Sequence, residues 1–280
     1  MMEFTKMHGL GNDYIFVDTD RFPVANPKEA ARRWSDRHTG VGSDGLILIG
    51  RSEVADFSMR IFNADGSEAM MCGNGARCVA KYVIDHGLYD SRSLTLETPS
   101  GIRRAEVLEN TPNVSAVVGI EMGKPAFEHP LQLLFPNGPM IEAPIIIDGE
   151  TIRATFVCMG NPHCVVFINR FSDINLEQLG KKLEHHPCFP ELANVNFVIC
   201  TADGNLQMQT WERGAGHTQA CGTGACAATV AAMLTKRIPF GQIKVFMEGG
   251  EMQVRWFGEH TPVFLTGVVN TVYEGRLLEE

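Results

Sequence analysis

The phrase Cys72-Gly73-Asn74-Gly75-Ala76 returns as Cys221-Gly222-Thr223-Gly224-Ala225, 149 positions further along the chain. The same spacing, applied without adjustment, sets Gly11-Asn12 on Gly160-Asn161, Met59 on Met208 and Gly101 on Gly250. It also sets the apolar run Leu46–Ile49 opposite Val195–Val198. Isolated glycine matches are cheap. One gapless register that carries strand-like runs with it points to two copies of one fold.

In the first copy the runs Tyr14–Asp18, Leu46–Ile49, Phe57–Asn63, Leu94–Thr98, Arg103–Leu108 and Val114–Met122 are short and β-branched or alternating, and Gly, Pro and Asn separate them. That pattern predicts strands. The second copy repeats the order, with strands expected near Thr155–Asn169 and at Val195–Cys200, Leu206–Glu212, Ile243–Met247 and Met252–Trp256. Helical spacing occupies Pro27–Arg37, Asn74–His86, Leu176–His185 and Thr223–Thr235, and Gly87 supplies a stop for the second of these. The expected architecture is α+β: two pseudo-symmetric domains from an internal repeat, each a mixed β-sheet or barrel wrapped around a central helix that starts at the Cys-Gly phrase. Pro125, Pro130, Pro136, Pro139 and Pro144 mark a linker over Pro125–Gly149. The domains are therefore placed at 1–120 and 121–261. The strand-like run Pro262–Asn270 makes 262–280 a candidate to cross and complete the first.

The 280 residues are enough for each domain to bury its own core. Twenty-four Lys and Arg against 33 Asp and Glu leave a formal charge of −9, with no basic block. Such a chain is a poor counterion for phosphates or an anionic surface, so neither nucleic acid nor membrane is expected as a partner. The longest mostly apolar stretch, Ala225–Leu234, falls well short of the roughly 18 residues of a membrane span. The opening MMEFTKMHGLGNDYIF carries Glu3, Lys6 and His8 where a secretory signal would place its apolar segment. The expectation is a cytoplasmic protein whose eight cysteines are free thiols.

Asn74 and Thr223, both helix-capping residue types, each stand two residues after a cysteine and just before an apolar helix. Cys72 and Cys221 are thereby expected at the positive end of a helix dipole, where a thiolate is favoured and its pKa falls below the free value of about 8.5. Gly73, Gly75, Gly222 and Gly224 leave backbone N–H groups open to a carboxylate. Two such helix ends related by a pseudo-twofold axis suit one reaction, in which a proton leaves one face of a carbon and another arrives on the opposite face. That is racemisation or epimerisation beside a carboxylate, with one thiol ionised and the other protonated.

A buried cysteine is more often an inert small hydrophobe, and Cys78, Cys158, Cys164, Cys188, Cys200 and Cys226 are read that way. Cys72 and Cys221 escape that reading through their equivalent places in the repeat. The pairs Cys72/Cys78 and Cys221/Cys226 lack the short spacing of a structural zinc site, so no metal is expected. Neither glycine phrase has the P-loop lysine or the G-x-G-x-x-G order, so no nucleotide cofactor is expected either. His163 reads as a core histidine or a site residue, and Asn161 beside it, matched by Asn12, tilts the reading toward the site.

Longer phrases carry a resemblance to a known family. FTKMHGLGNDYIFVD at Phe4–Asp18, RHTGVGSDGL at Arg37–Leu46, MRIFNADGSEAMMCGNGARCVA at Met59–Ala80, GNPHCVVF at Gly160–Phe167 and ERGAGHTQACGTGACAA at Glu212–Ala228 are similar, in order and spacing, to diaminopimelate epimerase. The resemblance covers essentially the whole chain. It implies cofactor-independent epimerisation of LL-2,6-diaminopimelate to the meso form, in lysine and peptidoglycan precursor synthesis. Cys72 and Cys221 are then the acid/base pair, and His163 and Glu212 tune the thiols. Gly73, Asn74, Gly222 and Thr223 hold the reacting carboxylate; Asn12, Asn63, Asn161, Asn194, Glu212 and Arg213 also bind substrate. A homodimer that closes on a small amino-acid substrate is implied as well.

Two residues depart from the pattern: Gly45 stands where some members carry Gln, and His217 where Glu is expected. Histidine racemases and proline and hydroxyproline epimerases share the scaffold, so a racemase or epimerase of another amino acid is the alternative. A non-catalytic amino-acid- or metal-binding protein that kept the cysteines is the second alternative.

Overall fold

The structure, a computed structural model, describes residues 2–128 and 138–278. The chain divides into two compact units, Met1–Glu121 with Thr266–Glu280, and Met122–Leu265. In the first, β1 (Met2–Gly9) and β2 (Asn12–Asp18) precede α1 (Pro27–Ser35). Then come β3 (Gly45–Gly50), β4 (Phe57–Asn63), β5 (Glu68–Ala69), α2 (Gly73–Asp85), β6 (Ser93–Thr98), β7 (Gly101–Thr111) and β8 (Ser115–Gly123). In the second, β9 (Ala143–Ile147), β10 (Glu150–Cys158) and β11 (Pro162–Phe167) precede α3 (Leu176–Glu184). These are followed by β12 (Asn194–Cys200), β13 (Leu206–Glu212), β14 (Gly216–Thr218), α4 (Gly222–Leu234), β15 (Gly241–Met247), β16 (Gly250–Trp256) and β17 (Val263–Leu277).

Pairing in the first unit runs β1–β2 antiparallel, β2–β3 parallel, β3–β4 and β4–β5 antiparallel, β4–β6 parallel and β6–β7 antiparallel. The same sequence of pairings joins β10 through β16 in the second. Tyr14 lies opposite Gly45 as His163 lies opposite Asn194, and Ile49 opposite Met59 as Val198 opposite Met208. The 149-residue period of the sequence is therefore kept in strand register from β2 to β7 and from β11 to β16, while the first hairpin of each copy differs by one residue, Gly9 pairing with Asn12 but Cys158 with Pro162. The fold is α+β, two copies of a mixed sheet about a buried helix.

Each sheet is covered on both faces, which is why β3 reads GLILIG without polar alternation. Leu46 and Leu48 pack in a cluster with Trp34 of α1, while Ile47 turns toward Gly75 of α2. In the second copy Val195 and Phe197 pack with Leu183 of α3, and Asn196 turns toward Gly224 of α4. α4 is buried all round, as its Ala-rich sequence requires. α2 is buried as deeply although it carries Arg77 and Lys81. Lys81 is accommodated by Asp85 at 2.5 Å and by Asn110 and the Thr111 carbonyl, each at 3.2 Å.

Three expectations are corrected. The run Thr155–Asn169 is two strands rather than one, folded back at Met159–Asn161, where Gly160 takes φ +88°. β-branched residues on both sides of that turn hide it in the sequence. Helices α2 and α4 begin one residue earlier than expected, because the cysteines themselves are the caps. Cys72 (φ −139°, ψ 115°) and Cys221 (φ −129°, ψ 110°) are extended, so Asn74 and Thr223 lie inside the first turn rather than at the cap. The proline-rich segment expected as linker contains β9, whose partner is β10. Of that segment, 129–137 lies outside the described residues.

Candidate active site

In the first unit Cys72 is partly exposed, and its sulfur accepts the Gly75 N–H at 3.4 Å. The thiol donates to Asn12 Oδ1 at 3.4 Å, and Asn74 Nδ2 donates to the same oxygen at 3.2 Å. The orientation of the Asn12 amide is decided elsewhere. Its Nδ2 donates to Asp44 Oδ2 at 2.8 Å, and Arg37 holds Asp44 by its other oxygen at 2.9 Å, so Oδ1 must face the sulfur. Asn74 Oδ1 accepts from the Arg77 guanidinium at 2.5 Å, one turn along α2. Burial pushes the Cys72 thiol up, and the Gly75 N–H, the Tyr14 hydroxyl, the Asn74 N–H and the Arg77 charge pull against it.

In the second unit Cys221 is 5% exposed, and its sulfur lies 3.5 Å from Thr223 Oγ1. Thr223 in turn accepts from Asn161 Nδ2 at 3.4 Å. Burial first, and then the Glu212 carboxylate, push Cys221 well above the ordinary thiol range. Glu212 is held by the Thr218 hydroxyl at 2.6 Å. The helix dipole was expected to lower both thiols, but the cost of burying a thiolate outweighs it in each copy.

His163 is fully buried, and burial, with the Arg213 charge, pushes its pKa down to about 3, so the ring is neutral. Its Nε2–H donates to Asn161 Oδ1 at 3.0 Å, and Nδ1 accepts from Asn196 Nδ2 at 3.1 Å. Asn196 Oδ1 accepts the Thr210 hydroxyl at 3.2 Å, which fixes both amide and ring. His163 thus orients the Asn161 amide toward Thr223, whose hydroxyl lies beside the Cys221 sulfur.

The remaining expected residues fall as follows. Asn194 donates to the Pro162 carbonyl at 3.0 Å and accepts the Arg213 N–H at 3.0 Å. The exposed Arg213 side chain reaches the Glu191 carbonyl at 2.8 Å. Asn63 donates to Ser67 Oγ at 3.0 Å. Gly73 and Gly222 are the first residues of α2 and α4. A Cβ at Gly45 would stand 2.3 Å from the Phe62 carbonyl oxygen, so the close approach of β3 and β4 explains the departure there. His217 projects to Glu248 at 3.2 Å.

Sequence reading missed Tyr14, Asp44, Arg77 and Asn196. One signal was available: the period that matches the cysteines also sets Tyr14 on His163 and Asn196 on Ile47.

The duplicated α+β fold recurs in solved structures at low identity. A phenazine biosynthesis protein of Bacillus anthracis matches with TM-score 0.70 at 17% identity, covering 99% of each chain. A hydroxyproline epimerase of Agrobacterium vitis, with trans-4-hydroxy-L-proline bound, matches with TM-score 0.68 at 17% identity, over 99% of this chain and 90% of its own. These likenesses define the class by fold alone. Sequence is more specific. The diaminopimelate epimerase family profile matches residues 4–128 and 155–272. A diaminopimelate epimerase of Phocaeicola vulgatus is 49% identical over 276 residues, which is 99% of this chain and 98% of its own. The chain belongs to the diaminopimelate epimerase family and is an amino-acid epimerase.

Proposed function

We propose that the protein converts LL-2,6-diaminopimelate to the meso form by inverting one α-carbon, with Cys72 and Cys221 as its acid/base pair. The observation that carries this is a cysteine cap joined to an asparagine side chain at equivalent positions of both copies. Cys72 meets Asn12 directly, and Cys221 meets Asn161 through Thr223. An α-proton beside a carboxylate is far less acidic than a thiol, so a base alone does not suffice and the developing charge needs fixed donors. The first-turn N–H groups around Gly73, Asn74, Gly222 and Thr223 suit the reacting carboxylate. Arg213, with Asn63, Asn161 and Asn194, suits the distal amino-carboxylate end.

The surroundings of the two thiols support different roles. The Arg77 cation and the Tyr14 hydroxyl favour ionised Cys72, whereas the Glu212 carboxylate disfavours ionised Cys221. Cys72 thiolate therefore takes the proton from the LL substrate, and the Cys221 thiol delivers one to the opposite face. The reverse reaction exchanges the roles. Burial raises both thiols, and the α-ammonium of the substrate supplies the local positive charge that favours Cys72 ionisation. Glu212 tunes Cys221 directly, and His163 does so through Asn161 and Thr223. In this reading the reaction needs no cofactor, serves lysine and peptidoglycan precursor synthesis, and is run by a homodimer.

The test is deuterium wash-in from solvent, with LL-diaminopimelate and L-histidine compared at equal pH. Deuterium at the α-carbon of diaminopimelate, with meso product and the higher kcat/KM, is expected. Absence of wash-in, or L-histidine as the better substrate, overturns the reading.

A further inference from the structure

The chain between β13 and β14 runs Arg213-Gly214-Ala215-Gly216, and both glycines take positive φ, +75° and +77°. A Cβ at Gly214 would meet nothing within 4 Å, so that glycine serves the backbone conformation and not a close approach. Such a turn has many conformations open to it and needs a tie from outside. The tie comes from α3. Glu184, the last residue of that helix, is 4% exposed. Its Oε2 accepts the Trp211 indole N–H at 2.7 Å and its Oε1 the Gly214 N–H at 2.8 Å. One buried carboxylate thus brackets Glu212 and Arg213, holding the residue before the pair and the residue after it.

We propose that Glu184 is a positioning residue, which fixes the turn between β13 and β14 and thereby holds Arg213 in the conformation that meets the distal end of the substrate. The inference rests on the distal role given to Arg213 above. Burying a carboxylate is costly, and an apolar residue at the end of α3 would cover β13 without that cost. Nor does a stranded donor require it. Gly214 is exposed, so water could take its N–H, and the bond to Glu184 fixes the turn instead. The same face of α3 makes room for the indole, since a Cβ at Gly180, one turn earlier, would stand 2.7 Å from Trp211 Cβ.

The first copy supplies the contrast. Its turn at Asn63–Ser67, 149 positions earlier, is braced from within, the Ser67 N–H and hydroxyl donating to Asp65 Oδ1 at 2.7 and 2.6 Å. Ser35 stands where the second copy has Glu184, and its hydroxyl accepts from Ser43 at 2.9 Å. The carboxylate is found in the copy whose turn residues, Gly214-Ala215-Gly216, have no polar side chain to brace them. Arg213 has its own backbone N–H on Asn194 Oδ1 at 3.0 Å, so with Gly214 held as well, the two successive N–H groups that aim its side chain are both fixed.

The experiment is a steady-state comparison on LL-diaminopimelate with the full chain. Glu184→Gln keeps the shape but can present an acceptor to only one of the two donors. Because Arg213 serves the end of the substrate that does not react, the loss should fall on binding: KM should rise about tenfold, the effect of one hydrogen bond to a charged group, with kcat changed by less than about threefold. A role in stability alone would remove folded protein, lowering the apparent kcat and leaving KM where it was. Trp211→Phe takes away one donor and should also raise KM, and the double variant should match Glu184→Gln instead of adding to it, because indole and carboxylate act as one pair. An unchanged KM in Glu184→Gln, or a fully additive double variant, overturns the proposal. A readout without substrate accompanies it. With the indoles of Trp34, Trp211 and Trp256 isotope-labelled for NMR, and Trp211 assigned by its loss in Trp211→Phe, the Trp211 indole N–H should exchange with solvent about tenfold faster in Glu184→Gln. Unchanged exchange also overturns the proposal. If exchange quickens but the unsubstituted protein does not invert LL-diaminopimelate, the tie through Glu184 stands and the substrate reading falls.

Discussion

Asn12 and Asn161 are the same residue at matched positions, yet they present opposite ends of the amide to their cysteine caps. Asp44 takes the Nδ2 of Asn12 and leaves an acceptor at Cys72, whereas His163 takes the Oδ1 of Asn161 and leaves a donor at Thr223. A symmetric fold thus gives its two cysteine caps different surroundings. On the two-thiol proposal, each face of the carbanion has one proton carrier, so Cys72→Ala and Cys221→Ala should each lower kcat by about a thousandfold or more with the melting curve retained. Near-normal turnover in either variant would sink the proposal. His163 gives a second prediction, on stability. Its pKa is about 3 in the fold and near 6.5 when unfolded, so between those values the unfolded chain binds a proton that the folded chain refuses. The stability contributed by neutral His163 is full above about pH 6.5 and is lost as the pH falls, by about 1.4 kcal/mol per unit toward pH 3. Urea melts between pH 7 and about pH 4 should show that slope flattened in His163→Gln, and an equal slope in both proteins would rule the assignment out.

At the scale of elements, the starts of α2 and α4 show how closely helix and sheet approach. A Cβ at Gly224 would stand 2.5 Å from Asn196 Oδ1, whose amide is already engaged by His163 and Thr210. A Cβ at Gly75 would meet the Ile47 Cδ1 at 2.5 Å and the Met59 Cε at 3.0 Å, methyl ends that can turn aside. Gly224→Ala should therefore cost about 2 kcal/mol in urea melts and Gly75→Ala less than about 1 kcal/mol, the overpacking range for rigid and yielding neighbours. Equal costs would mean that the Asn196 network is as free to move as a methyl group. The same positions show what the sequence could reveal. The repeat was legible because both copies keep Cys and Gly in the cap phrase, and β3 was legible because two covered faces favour an unbroken apolar run. The turn at Met159–Asn161 was not, since strand-forming residues flank a single glycine. The equivalence of Tyr14 and His163 was hidden for another reason. Tyr14 and His163 share a place in the repeat but no chemistry, so only the period and the strand register relate them. Gly45 was a departure in the sequence and became an explanation only when the Phe62 carbonyl appeared beside it.

At the scale of the whole chain, the first unit is built from both ends of the sequence. β17 starts at Val263 within the second unit, and from Thr266 onward belongs to the first, where it lies antiparallel to β1 from Met2 opposite Leu277 to His8 opposite Asn270. Several of its residues are shaped by what they cover. A Cβ at Gly267 would stand 2.0 Å from the Arg77 guanidinium, and one at Gly275 would stand 2.5 Å from the Phe4 ring. Phe4 also meets Tyr273 edge-on at 5.9 Å, and the Thr271 N–H donates to the Val114 carbonyl at 2.8 Å. Removing residues 266–280 therefore strips β1 of one whole row of backbone hydrogen bonds and uncovers the cation beside Cys72, leaving buried polar groups without cover. A chain ending at Leu265 should lose amide-exchange protection through β1, β2 and α2, and with it epimerase activity, while β11 to β13 and α4 in the second unit exchange slowly. Full protection of α2 in the shortened chain would show that the first unit holds together without its last strand.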